Sequence, residues 1–158
     1  MKRDELLAAL EAARAKLDAS IAGMSSEELI APGPVGDWSV KDLLSHVTSW
    51  DVDLLTNLGK AQRGQKPGRT QWDTAGIQAQ NDAWHEELKD RPLERVLADY
   101  DGVHAQVLRA VSGLSDAELE APIAWRGGQP LYKYFVDHIV IHEDEHGAEL
   151  AEWRKHQH

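Results

Sequence analysis

Cysteine is absent from the 158 residues, which excludes disulfides, thiolate metal sites and a cysteine nucleophile together. Phenylalanine occurs once and tyrosine three times, against six tryptophans, so tryptophan supplies most of the aromatic surface. Positive charge is scarce as well: 17 Lys and Arg face 27 Asp and Glu, a formal net charge of −10. Such a balance repels phosphate backbones and anionic lipid, and no nucleic-acid partner and no membrane partner are expected. No apolar run approaches the roughly 20 residues a bilayer-spanning helix needs. The first residues, Met1-Lys2-Arg3-Asp4-Glu5, pass at once into an amphipathic pattern instead of an apolar signal core. A cytoplasmic protein is therefore expected. What is present, 42% hydrophobic and 28% charged residues, suits one globular domain over 1–158. Eight histidines are the main excess. Without cysteine they are the only soft ligands and the only near-neutral bases available.

Hydrophobic spacing predicts an all-α chain. Leu6, Leu10, Ala13, Leu17 and Ile21 recur at helical intervals over 3–22. Ser39, with Asp42 three residues on, caps a second helix whose apolar stripe is Val40, Leu43, Leu44, Val47, Trp50 and Leu54, ending near Leu58-Gly59. The stretch 59–69, with Gly64, Pro67 and Gly68, reads as a polar, mobile connection. A third helical region spans 74–111 with a break at Asp90-Arg91-Pro92. A fourth runs from Leu131 to about Lys155; its β-branched run at Ile139-Val140-Ile141 is flanked by four-residue periodicity that favours helix over strand. One decapeptide echoes another: Gly23 to Pro32 and Gly113 to Pro122 share Gly, Ser, Glu, Leu, Ala and Pro, six of ten positions. The echo suggests two similar helical hairpins, and four long helices with long crossover connections predict a four-helix bundle.

Chemistry concentrates in the histidines. His138, His142 and His146 fall at four-residue steps on one face of the fourth helix, and at about 100° per residue they spread over only about 80°. His142 and His146 have the spacing of a helical metal pair. His46, at the edge of the buried stripe of the second helix, is the candidate third ligand, since bundle ligands meet in the core from facing helices. His138 is open between an outer neighbour of the ligands, an alternative ligand and a substrate contact. His85, His104, His156 and His158 show no paired spacing and read as ordinary residues. The letters His142-Glu143-Asp144-Glu145-His146 match the H-E-x-x-H zinc-peptidase pattern, but no strand is available to hold a peptide and the longer extension is missing, so the match reads as accidental. Glu149 is placed to orient an imidazole. Three imidazoles suit zinc, nickel, iron or copper alike. Trp38, Trp50, Trp72, Trp84 and Trp125 either fill core in place of phenylalanine or line a small-molecule pocket.

The segment from Gly36-Asp37-Trp38-Ser39 to His46, paired with Asp137-His138-Ile139-Val140-Ile141-His142-Glu143-Asp144-Glu145-His146, resembles the DinB-like superfamily of bacterial four-helix bundles, over essentially the whole chain. The region Trp84 to Leu119, with Arg91-Pro92-Leu93 and Gly113-Leu114-Ser115-Asp116, is similar to its DfsB-type branch. The resemblance implies that His46, His142 and His146 bind a divalent metal such as zinc, nickel or iron. It implies a metal-dependent enzyme, a hydrolase or a thiol-dependent transferase, acting on a small molecule, with a low-molecular-weight thiol as possible cosubstrate and a homodimer as the assembly. It implies as an alternative a metal-independent binding or toxin-resistance protein. His138 stands outside the usual triad, and the extra C-terminal domain of the mycothiol-dependent isomerases is not expected. With no cysteine in the chain, any sulfur chemistry must come from the cosubstrate.

Overall fold

The two decapeptides that echo each other fold alike. In the computed structural model, which describes residues 1–157, Ser25 and Ser115 each accept a hydrogen bond from the backbone N–H three residues on. Glu28 and Glu118 reach back to accept from the serine N–H groups. These reciprocal caps start two one-turn helices. After each comes a short antiparallel ribbon and then a long helix. His158 lies outside the described residues.

In chain order the elements are α1 (Arg3–Ile21), α2 (Ser26–Ile30), β1 (Pro32–Val35), β2 (Trp38–Ser39), α3 (Val40–Gln62), α4 (Thr74–Leu88), α5 (Leu93–Ser112), α6 (Asp116–Glu120), β3 (Pro122–Ile123), β4 (Gln129–Pro130), α7 (Leu131–Phe135) and α8 (Ile141–Lys155). A 3-10 turn, Ala124–Arg126, sits between β3 and β4, and a π-helical turn, Val136–Val140, joins α7 to α8. The all-α class is as expected, and the break before Pro92 falls where proline removes the helical N–H. Two features differ. The ribbons β1–β2 and β3–β4 replace what reads in sequence as plain breaks; glycines at positive φ, Gly36 (+58°) and Gly127 (+68°), turn the chain between their strands. And α3 runs through Gly59 to Gln62, because Leu58 is buried and anchors its last turns.

The helices enclose two apolar clusters. One contains Leu10 of α1, Leu54 of α3, Val107 of α5 and Ile139 of the π turn; the other contains Leu17, Val47, Val96 and Leu150 from the same four stretches. Between these positions every stretch carries a polar residue instead: Arg14, Asp51, His104 and Glu143. This layer is built, not accidental. Arg14 Nη2 and Nε donate to Glu143 Oε1 at 2.7 and 3.2 Å, Nη1 donates to the Tyr100 carbonyl at 2.9 Å, and Asp51 Oδ2 lies 3.7 Å from Nη2. The guanidinium also stacks 3.7 Å over the Tyr100 ring. At the crossing of α8 with α1 the backbones come so close that a Cβ on Gly147 would sit 3.3 Å from Leu17 Cα. That contact fixes the rotation of α8 and with it the direction of His142 and His146.

Candidate functional site

The α8 register sends Glu143 into the core and its two flanking histidines outward to a cleft. Glu143 is 0% exposed and committed to Arg14, so it is unavailable as a general base. The H-E-x-x-H letters are thus used as core ion pair plus histidine pair, in accord with reading the match as accidental.

His46 of α3 meets His142 and His146 across the helix interface. His142 Nε2 lies 2.9 Å from His46 Nε2 and 2.9 Å from His146 Nε2. Each of the three offers one ring nitrogen, and these nitrogens all lie within 4.8 Å of one another. His146 Nδ1 is 2.8 Å from Glu149 Oε2. That contact places the proton on Nδ1 and leaves the Nε2 lone pair free, the arrangement of a carboxylate-oriented metal ligand. Burial and the neighbouring imidazoles hold His46 down to about 3 and push His142 well below the usual histidine value. Neutral rings with converging lone pairs are what a divalent cation requires. His46 Nδ1 is buried without a hydrogen-bond partner.

His138 is not part of this group. The π turn carries an i→i−5 bond from the Ile141 N–H to the Val136 carbonyl, which rotates the preceding residues relative to α8. His138 accordingly faces Arg126 Nη1 at 3.0 Å and packs edge-on to Tyr134 at 4.8 Å. The three positions that look equivalent in sequence are not equivalent in space.

The triad opens into a cleft of about 670 Å³ whose lining includes Trp50, Trp72, Ile77, Arg126, His138 and Glu145. The aromatic wall is organised: Trp72 and Trp84 each pack edge-to-face on Trp50, at 5.4 and 4.9 Å, and Trp50 Nε1 donates to Asn81 Oδ1 at 2.9 Å. Trp38 sits between His46 (5.5 Å) and a stacked His85 (4.7 Å). The tryptophans thus divide: Trp50 is core and cleft wall at once, whereas Trp72 arrives from the connection after α3. That connection is tied down at several points. The Gly68 N–H donates to Asn57 Oδ1 at 2.7 Å, Thr70 Oγ1 donates to the Trp125 carbonyl at 3.0 Å, and Arg126 Nη1 donates to the Thr70 carbonyl at 2.9 Å. Sequence reasoning missed Arg126, Thr70 and Asn81, because nothing local ties a turn arginine to a loop threonine fifty-six residues earlier, or Asn81 to a tryptophan thirty-one residues back.

His104, read as ordinary, is half-buried at the edge of the buried polar layer, its Nδ1 sealed without a hydrogen-bond partner. Burial first and the Arg14 charge second push it down to about 4. The unfolded chain takes up that proton near pH 6.5, the folded chain only near 4, so folding is increasingly disfavoured as pH falls through that window. Asp51 and Glu143, raised by burial, act in the opposite direction, so the contribution of His104 is read as a difference. Relative to wild type, His104→Gln is expected to gain stability steadily from pH 6.5 to pH 4 and to show a constant difference above 6.5. Urea denaturation of both proteins across that range, with chelator present, measures it.

A family model described as the DinB superfamily matches residues 9–150. No curated protein matches the chain at a significant level. Among solved structures, the colibactin self-resistance protein ClbS in complex with a dsDNA is similar with a TM-score of 0.85 at 14% identity, over 98% of this chain and 96% of that one. DfsB, described as a sibling lethal factor precursor, gives 0.85 at 17% identity over 99% and 97% of the two chains. An uncharacterised protein from Escherichia coli UTI89 gives 0.84 at 16% over 98% and 94%. The ClbS complex overturns the expectation of no nucleic-acid partner: a protein of this fold has been crystallised with duplex DNA, so the exclusion drawn from net charge does not stand. The physical reason is that −10 is a sum over the whole surface, whereas binding responds to the local field. Lys60, Arg63, Lys66 and Arg69 bring four positive charges into ten residues without an acid among them, and that stretch leads directly to Thr70 at the cleft. Among the described residues, no helix is long and apolar enough to cross a membrane.

Proposed function

The chain belongs to the DinB superfamily, and on that premise we propose that His46, His142 and His146 hold one divalent metal ion at the wall of the cleft, where the protein acts as a metal-dependent enzyme on a small molecule. The observation that carries this reading is the convergence of three histidine ring nitrogens from two helices on one point beside the cleft. The donor set fits: imidazole suits borderline ions such as zinc, nickel or iron, and three ligands leave coordination positions for other molecules. Such an ion supplies Lewis-acid chemistry, polarising a substrate oxygen or acidifying a water or a thiol cosubstrate. The protein's own part is orientation and exclusion. Glu149 fixes the His146 ring, Trp38 packs against His46, and Trp50 and Trp72 keep one side of the cleft apolar. Native mass spectrometry of protein prepared with zinc, nickel or iron tests the proposal. One ion per chain is expected; a chain that never retains an ion ends it.

A second reading follows from the similarity to ClbS and DfsB: a resistance protein whose tryptophan-lined cleft binds its ligand without metal, duplex DNA being one ligand to try. Ligand-induced change in tryptophan fluorescence that survives chelation favours it, and change that requires the ion favours the enzyme.

A further inference from the structure

The cleft contains a cation that the histidine triad does not use. Arg126 closes the 3-10 turn before Gly127, and its side chain is only 9% exposed. Its guanidinium lies 4.6 Å from the centre of the Tyr134 ring. One edge is engaged, since Nη1 donates to the Thr70 carbonyl and faces His138 Nε2. The opposite edge is held only at Nη2, and loosely. Nη2 has Gln129 Oε1 at 3.4 Å and Asp137 Oδ2 at 3.8 Å, and Nε is buried with no hydrogen-bond partner. Asp137 is shared with Lys133, 3.7 Å away, and is a third exposed. A buried donor left unmatched is costly unless something accepts from it. The Nε and Nη2 donors of an arginine form the parallel pair that takes both oxygens of a planar carboxylate.

The rest of the lining describes the remainder of such a ligand. Trp50 and Trp72 form an apolar wall, and Ile77 and Ile141, 40% and 44% exposed, form an apolar lip. Among the described residues that line the cleft, Arg126 is the only arginine and none is a lysine. It touches His138, which precedes the metal pair by one four-residue step. We propose that the cleft binds a small carboxylate with a flat apolar body, the carboxylate gripped side-on by Arg126 and the body lying along Trp50 and Trp72 toward the triad. This rests on the cleft being the functional site proposed above, but not on the metal itself.

The test compares 4-phenylbutyrate with its neutral isostere 4-phenylbutyramide, followed by tryptophan fluorescence on both zinc-loaded and chelated protein. In the chelated protein no ion competes for the carboxylate, so preference for the acid reports the arginine alone. The acid is expected to bind about tenfold or more tightly than the amide, the gain of a charge-assisted hydrogen-bond pair. Arg126→Gln is expected to bring acid binding down to the level of amide binding, whatever the lost contact to the Thr70 carbonyl costs both, and Arg126→Lys to restore part of the preference. A merely structural role for Arg126 would weaken acid and amide alike. Acid and amide binding equally to chelated protein, no detectable binding of either, or an undiminished acid preference in Arg126→Gln overturns the proposal. If the metal reading alone fails, chelated and zinc-treated protein show the same acid preference, so the two failures are told apart.

Discussion

Arg14→Ala is expected to cost about 3–5 kcal/mol of folding stability, the range for breaking a buried ion pair and leaving one charge without a partner. For a chain of this size that lowers Tm by about 6–20 °C. The effect is large because Arg14 is the single hub of the polar layer: Glu143, Asp51 and the Tyr100 carbonyl all turn to it, and all are sealed between two apolar clusters. The two carboxyls are not equivalent. Glu143 takes two guanidinium hydrogen bonds and serves as counter-ion, whereas Asp51 is only approached at 3.7 Å. Burial and the Glu143 charge push Asp51 well up, so the site favours the neutral form of this side chain. Asp51→Asn, which keeps that shape and charge state, is therefore expected to be mild, and Glu143→Ala severe. Replacing Arg14, Asp51 and Glu143 together by apolar residues of similar volume is expected to restore most of the stability. Thermal denaturation of the four variants checks the pattern. Equal losses for Asp51→Asn and Arg14→Ala would contradict that preference for the neutral form.

His142→Ala is expected to lower metal affinity by at least about 100-fold, beyond what loss of an outer partner of a ligand costs. His142 is the middle member of the triad, within 2.9 Å of both others, so its removal leaves His46 and His146 with no shared neighbour. In wild type, zinc at about 100 times its Kd is expected to stabilise by about 2.7 kcal/mol, a rise in Tm of about 5–11 °C. In His142→Ala that rise disappears. His138→Ala, whose ring faces Arg126 instead of the triad, keeps the full rise, and Glu149→Gln keeps a reduced one because only the orientation of His146 is lost. Zinc titration followed by thermal shift, with bound metal counted by mass spectrometry, distinguishes the four proteins. A His138→Ala protein that loses zinc as His142→Ala does would mean the ligand set is wrong.

The predictions differ in how far they were legible in sequence. The histidine triad could be assembled from spacing and from the stripe on the second helix. The H-E-x-x-H pattern also stood in plain view, but its glutamate points away from its histidines because consecutive helix positions differ by about 100°. Arg126 left no trace at all, since its significance comes from a turn between two short ribbon strands meeting a loop fifty-six residues earlier in the chain. His138 was visible yet ambiguous, and the π turn before Ile141 resolves it. A one-residue change of helical register is invisible to hydrophobic periodicity.

Absence of cysteine, helical periodicity, the Ser25 and Ser115 caps and the pairing of His142 with His146 were determined by the sequence alone, because each is a local property: composition, or residues within one or two helical turns. The tertiary structure decided the rest. It chose which face of α8 meets α1 through the close approach at Gly147, placed Glu143 in the core and Arg126 in the cleft, and drew Trp72 from a connection that looked free onto the wall beside Trp50. It also limits what net charge says. A total of −10 describes the average surface, while recognition depends on which charges the fold brings within a few ångströms of one another, where Coulomb energy is strongest and least screened.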